Sequence, residues 1–252
     1  MNKKILGLIP TRLNSSRLPQ KALLEIENIP LIIHTYKRAK LSKKLDEVYI
    51  CCDDKKIYNV AKKYSAKCIL TSTHHTNGTE RIFEAYKNIS KIKKFDLVVD
   101  IQGDEPLVSP YHIDSVIDHH LKNFNHDIVL PTIKTDQKNN TNVIKVISNL
   151  KNEVMYLSRS TIPFEFKASF KYIDKHLSII SFKTDALKKF SEHKMTPLEK
   201  IEDIELLRAL EIGQKIKTFK LTGDSFSVDV LEDYLKAKKK MTLDNFFKFY
   251  KI

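Results

Sequence analysis

Arg12, Arg17 and Lys21 fall within one polar stretch, IPTRLNSSRLPQKALL (9–24), which overlaps the end of the short apolar run KILGLIP. A strand that opens into a loop with three cations is suited to a polyphosphate. The cations neutralise oxygen charge, and a planar guanidinium pairs with two oxygens at once. Ser15 and Ser16 add small hydroxyl donors. A solvated basic loop in a basic protein would use the same residues, so this window alone does not decide.

Carboxylates supply the complementary chemistry. In VVDIQGDEPLV (98–108) an apolar run ends at Gln102-Gly103-Asp104. Asp104 then projects from the carboxyl end of a strand, where open α/β sheets bind ligands, and a lone carboxylate beside phosphates is a typical Mg2+ ligand. The plainer account is an Asp in a proline-bounded turn. Asp229, in FSVDVLED (226–233), sits at a strand-to-helix turn. It is either a helix N-cap or a second carboxylate for a metal at Asp104.

Further cations and acids accompany these. In NGTER (77–81), Asn77-Gly78-Thr79 starts a helix and leaves Arg81 in a first turn that does not favour a cation. Arg81 is a bidentate partner for a substrate carboxylate or one half of a surface ion pair. Arg159 lies among hydroxyls in YLSRSTIP (156–163). In PLEKIEDIELLR (197–208), Glu199, Glu202 and Glu205 share one helix flank, a solvated acidic face unless one Glu reaches a ligand. The pairs His74-His75 and His119-His120 lack metal-ligand spacing and are expected to be solvated.

These residues need a scaffold, and the hydrophobic rhythm predicts one. Strands are expected at 4–9, 47–52, 67–70, 95–101 and 127–132, alternating with helices at 30–41, 55–64, 79–89 and 110–124. Pro30 and Pro110 suit the first turns of their helices. Such alternation predicts an α/β fold with a doubly wound, mostly parallel sheet and helices on both faces. After about Thr141 the rhythm changes to a hairpin turning at 149–152 and a strand at 175–182. Helices at 198–213 and 231–247 then flank a strand at 215–220. One α/β domain over 1–252, with a mixed antiparallel insertion at about 141–195, is the expected organisation.

Composition narrows the function classes. The chain has 252 residues and a formal charge of +13, from 44 Lys and Arg against 31 Asp and Glu. Lysine is dispersed rather than clustered with aromatics, so no nucleic-acid partner is expected. The five glycines form neither a GxGxxG nor a P-loop, and no GxSxG hydrolase elbow occurs. Cys51, Cys52 and Cys68 lack CxxC spacing and read as buried free thiols of a reducing cytoplasm. No segment approaches the ~20 apolar residues of a membrane span, and no signal peptide is recognisable, so a soluble cytoplasmic protein is expected.

Together the motifs resemble the 3-deoxy-manno-octulosonate cytidylyltransferases, or CMP-Kdo synthetases. IPTRLNSSRLPQKALL, NGTER, VDIQGDEP, YLSRSTIP, HLSI, PLEKIEDIELLR and SVD occur in that family's order along almost the whole chain. The resemblance implies a fold like that of nucleotide-diphospho-sugar transferases. It also implies transfer of CMP from CTP to an acidic eight-carbon sugar, with Mg2+ as cofactor, in a homodimer serving lipopolysaccharide biosynthesis. Carried over by motif, Arg12, Arg17 and Lys21 would hold the CTP phosphates, with Arg12, Lys21 and Asp104 catalytic. Asp104 and Asp229 would ligate the metal. Arg81, Gln102, Arg159, His176 and Glu205 would line the sugar pocket, and the 141–195 insertion would bind sugar and mediate dimerisation.

Some positions depart from the family pattern. Ser178, Ile180 and Phe182 stand where a glycine and two tyrosines are usual. Gln20 replaces the glycine before the loop lysine, and the run after Asp229 is Val-Leu-Glu-Asp-Tyr. Loss of a tyrosine hydroxyl from a sugar site alters discrimination, so an amino-Kdo or another ulosonic acid is the alternative substrate.

Overall fold

β1 (Ile5–Thr11) is apolar on both faces, with Ile5, Leu6, Leu8 and Ile9 all buried, the signature of a central parallel strand. The computed structural model describes residues 3–223 and 225–251. A short hairpin, β2 (Glu25–Ile26) and β3 (Ile29–Pro30), precedes α1 (Leu31–Ala39). There follow β4 (Glu47–Cys52), α2 (Lys55–Lys63), β5 (Cys68–Leu70), α3 (Gly78–Ser90), β6 (Leu97–Ile101) and α4 (Pro110–Lys122). β5, β4, β1 and β6 lie side by side in that order, every pairing parallel. Asp54 caps α2 by accepting from Lys56 N–H, and Asn77 caps α3 by accepting from Glu80 N–H.

The chain packs as two compact units, Met1–Asp114 with Ser225–Ile252, and Ser115–Asp224. In the second, β7 (Ile128–Thr135), β8 (Lys145–Ser148) and β9 (Val154–Ser158) precede β10 (Ile173–His176) and β11 (Ile179–Lys183). Then come α5 (Thr184–Glu192), α6 (Pro197–Glu202), α7 (Glu205–Glu211) and β12 (Ile216–Lys220). β7 pairs antiparallel with β10 and β11 and parallel with β12; β8 pairs antiparallel with β10 and β9. α8 (Leu231–Met241) belongs to the first unit. The molecule is thus of the expected α/β class, with β5, β4, β1 and β6 parallel in the first unit, apart from the small antiparallel β2–β3 hairpin, and mixed pairing in the second.

Two expected elements are broken. The strand read as 175–182 is β10 and β11, because the six residues from His176 to Ser181 face only the four from Thr132 to Val129. The irregularity falls opposite Pro131, which has no N–H for the ladder. The helix read as 198–213 is α6 and α7, separated where Asp203 turns left-handed at φ 52°. The acidic stripe disappears with it. Glu199 is buried and takes two bonds from the equally buried Arg208, at 2.6 and 2.7 Å, while Glu202 accepts from Ser158. α5 has no counterpart among the expected elements, and helix 231–247 ends early, at Met241.

Candidate active site

The first-unit residues gather at the carboxyl ends of parallel strands. Lys21 follows β1 in a one-turn helix, Lys21–Leu23, preceded by Gln20 in the left-handed conformation at φ 51°. Its ammonium donates to Asp104 Oδ2 at 2.7 Å, to the Val228 carbonyl at 2.8 Å and to Asp229 Oδ1 at 3.1 Å. All three N–H donors are therefore used. Arg17 reaches the same Asp229 Oδ1 at 2.9 Å, and Arg12 is exposed.

Backbone contacts fix the two carboxylates. Val228 N–H donates to the Asp104 carbonyl at 2.9 Å, which ties the segment before Asp229 to the loop after β6. Asp229 is not the helix cap that its position suggested, because α8 begins at Leu231. Asp233 Oδ2 instead accepts from the Asp229 and Val230 amides. Gly103 lets the loop close on β1: a Cβ there would lie 2.5 Å from the Pro10 carbonyl oxygen.

Charge at this point is balanced by proximity. Burial lowers the Lys21 pKa, but Asp104 and then Asp229 more than reverse this and hold it above the ordinary lysine value. Burial likewise raises that of Asp229, and the Lys21 and Arg17 charges bring it below the usual carboxylate range. The carboxylate oxygens that share one ammonium are hard donors of the kind Mg2+ takes alongside substrate phosphates, so the residues fit that ion. Among the described residues, no cluster of three or more His, Cys, Asp or Glu forms a site made of protein ligands alone.

Arg81 is neither solvated nor at the surface. Its guanidinium donates to Thr71 Oγ1 at 2.8 Å, the Ser72 carbonyl at 3.2 Å and Asp53 Oδ2 at 3.3 Å. Asp53 Oδ1 accepts from Leu13 N–H at 2.9 Å, directly after Arg12. Asp53, which no sequence motif singled out, thus connects Arg81 to the cationic loop. Its position at the end of β4 was the available signal. Gln102 donates to Asp100 Oδ2 at 3.0 Å, behind Asp104.

Arg159, His176 and Glu205 belong to the second unit. Arg159 donates from Nε to the Glu202 carbonyl at 2.7 Å and from its terminal nitrogens to the Thr141 and Asp203 carbonyls, at 3.1 and 3.0 Å. Each terminal nitrogen keeps one further N–H. His176 is half-buried at the end of β10, where desolvation and then Lys175 lower its pKa to about 4. Glu205 begins α7.

Of the histidine pairs only His74 is exposed as expected. His75 bonds to Glu84, His119 stacks on Phe219, and His120 is buried. The cysteines are free, with Cys51 and Cys52 buried and Cys68 half-buried. No helix among the described residues is long and apolar enough to cross a membrane.

Comparison with known proteins gives this geometry a family. The family model described as cytidylyltransferase matches residues 6–216. The 3-deoxy-manno-octulosonate cytidylyltransferase of Thermodesulfovibrio yellowstonii is 37% identical over 245 residues, covering 92% of this chain and 96% of its own. The 8-amino-3,8-dideoxy-manno-octulosonate cytidylyltransferase of Shewanella pealeana is 36% identical, covering 94% and 98%. A solved structure of CMP:2-keto-3-deoxy-manno-octonic acid synthetase complexed with CTP superposes with a TM-score of 0.90 at 28% identity, over 95% of this chain and 99% of that one. By sequence and by fold, the chain belongs to the cytidylyltransferases, among the 3-deoxy-manno-octulosonate and 8-amino-3,8-dideoxy-manno-octulosonate enzymes.

Proposed function

We propose that this nucleotidyltransferase moves CMP from CTP to the anomeric hydroxyl of 3-deoxy-manno-octulosonate, releasing pyrophosphate. The observation that carries the reading is the placement of Asp104 and Asp229 on one cation, beside Arg17 and a loop that also holds Arg12. Arg12, Arg17 and Lys21 bind the triphosphate and spread the charge that builds on the departing pyrophosphate. Asp104 and Asp229 hold Mg2+, which when bound neutralises phosphate oxygens and sharpens the electrophilic character of the α-phosphorus. Arg81, committed to Asp53, Thr71 and Ser72, supports the cationic loop from behind. Gln102, His176 and Glu205 orient the sugar acid, and Arg159 pairs its spare N–H groups with the sugar carboxylate.

A second substrate reading has its own support. Ser178 lies in the irregular turn between β10 and β11, while Ile180 and Phe182 are buried, with Phe182 edge-on to Phe190. No tyrosine hydroxyl stands at these positions, and the Shewanella relative carries an 8-amino name. The same transfer to 8-amino-3,8-dideoxy-manno-octulosonate is therefore the alternative.

We further assign the enzyme to lipopolysaccharide synthesis in the cytoplasm, a compartment in keeping with its free thiols. It would act as a homodimer paired through 141–195, where Phe164, Phe166 and Tyr172 are exposed. Pyrophosphate release from CTP and Mg2+, with each sugar acid and with none, tests the activity. Kdo-dependent release is expected; release only with the amino sugar moves the substrate, and silence with every ulosonic acid refutes the transfer.

A further inference from the structure

Lys145 is a fully buried lysine with no carboxylate at ion-pair distance among the described residues. An ammonium in such a place is costly unless its donors are well used. It lies on β8 opposite Ser158 of β9 and donates to the Arg159 carbonyl at 2.5 Å and the Asn140 carbonyl at 2.7 Å. Both acceptors bear on Arg159. The first is its own backbone, and the second adjoins Thr141, whose carbonyl takes a guanidinium N–H. The opposite side is closed by Glu202, which accepts Arg159 N–H at 3.0 Å and Ser158 Oγ at 2.7 Å. Desolvation, followed by the Arg159 charge, lowers the Lys145 pKa, while Glu202 opposes the shift.

We infer that Lys145 is a positioning residue for substrate. Its ammonium locks the Arg159 backbone to the 140–141 loop, so that the two spare guanidinium N–H groups meet the sugar carboxylate in a fixed fork. The inference rests on the proposed role of Arg159. A lysine kept only for folding would have no reason to tie together the two backbone points that aim one arginine. A buried cation held by two carbonyls fixes the spacing of the two backbone points that it joins.

Steady-state pyrophosphate release with Kdo and CTP tests this in the full-length chain, using Lys145→Met, Lys145→Gln, Arg159→Ala and the Lys145→Met/Arg159→Ala double variant. The expected result is a rise of about tenfold in KM for Kdo in Lys145→Met, with KM for CTP within about twofold. Lys145→Gln, whose amide keeps two N–H donors but no charge, should fall between, and the double variant should be no worse than Arg159→Ala alone. If Arg159→Ala weakens Kdo use but neither Lys145 variant does, the inference fails while the Arg159 role stands. If Arg159→Ala leaves KM for Kdo unchanged, both fall together. Equal rises in both KM values, full additivity, or loss of folding in both Lys145 variants would reduce Lys145 to a structural residue and overturn the inference.

Discussion

Two carboxylates converging on one ammonium tie binding and stability together at Lys21. Asp104 and Asp229 repel each other, and Lys21 offsets that repulsion while leaving oxygen lone pairs for a divalent ion. Asp104→Asn removes that repulsion along with half of the ligand set. Turnover should fall about 10³-fold, as when a preorganised charge contact is deleted, with the unfolding midpoint little changed. A comparable loss of both would mean that Asp104 serves the fold. Lys21→Met has the opposite signature. It leaves the carboxylates facing without a counter-charge, at a cost of about 1–2 kcal/mol once their partial exposure is discounted. Millimolar Mg2+ should recover that loss in thermal melts of Lys21→Met but not when Asp229→Asn is added. Absence of recovery would remove the metal role of the pair. The cations and acids themselves were legible in the sequence because each stands in a short loop after an apolar run. Their convergence was not, since Asp104 and Asp229 lie far apart in the chain and meet only through Lys21 and the Val228 amide, contacts that no local pattern encodes.

Secondary-structure elements place these side chains through a few backbone constraints. Gln20 holds a left-handed conformation where the family pattern has glycine, immediately before Lys21. Gln20→Gly should therefore gain up to about 1 kcal/mol from relieved strain, partly cancelled by the greater freedom of glycine in the unfolded chain. Gly103 is the converse case. Its missing Cβ accommodates the Pro10 carbonyl, so Gly103→Ala should displace the Asp104 loop and cost about 1–3 kcal/mol by overpacking. Urea melts of both variants check these opposite signs; destabilisation in Gln20→Gly or indifference in Gly103→Ala would contradict them. The parallel strands were readable because both faces are apolar, as in β1 and β6. The break at Asp203 was hidden: local periodicity continues through it, and the turn brings Glu199 onto Arg208, nine residues on and about 13 Å away in an unbroken helix. The β10–β11 irregularity was hidden likewise, because Pro131 acts on it from another strand.

Across the whole molecule, charge predicts a steep loss of stability in mild acid. Each unit contains a buried neutral histidine. In the first, His34 Nε2 lies 2.8 Å from the Ile26 carbonyl and Nδ1 3.1 Å from the Tyr250 hydroxyl. In the second, His120 Nε2 lies 3.3 Å from the His126 carbonyl and Nδ1 2.7 Å from Ser181 Oγ. A carbonyl only accepts, so Nε2–H donates in each ring, and in the neutral form that burial favours Nδ1 accepts from the hydroxyl. Burial lowers each pKa from 6.5 to about 4, with the adjacent carbonyl opposing the change. Between those values the unfolded chain takes up protons that the folded chain refuses. Their contribution is therefore full above pH 6.5, declines as pH falls, and is exhausted near pH 4. A pKa held that far below its ordinary value corresponds to about 3 kcal/mol per histidine. The unfolding midpoint should thus drop steadily over this window, before carboxylate protonation contributes. His120→Asn should flatten the slope by the share of one proton. A midpoint level between pH 6.5 and 4.5, or histidine proton resonances titrating near 6.5 in the folded protein, would show instead that water reaches these rings.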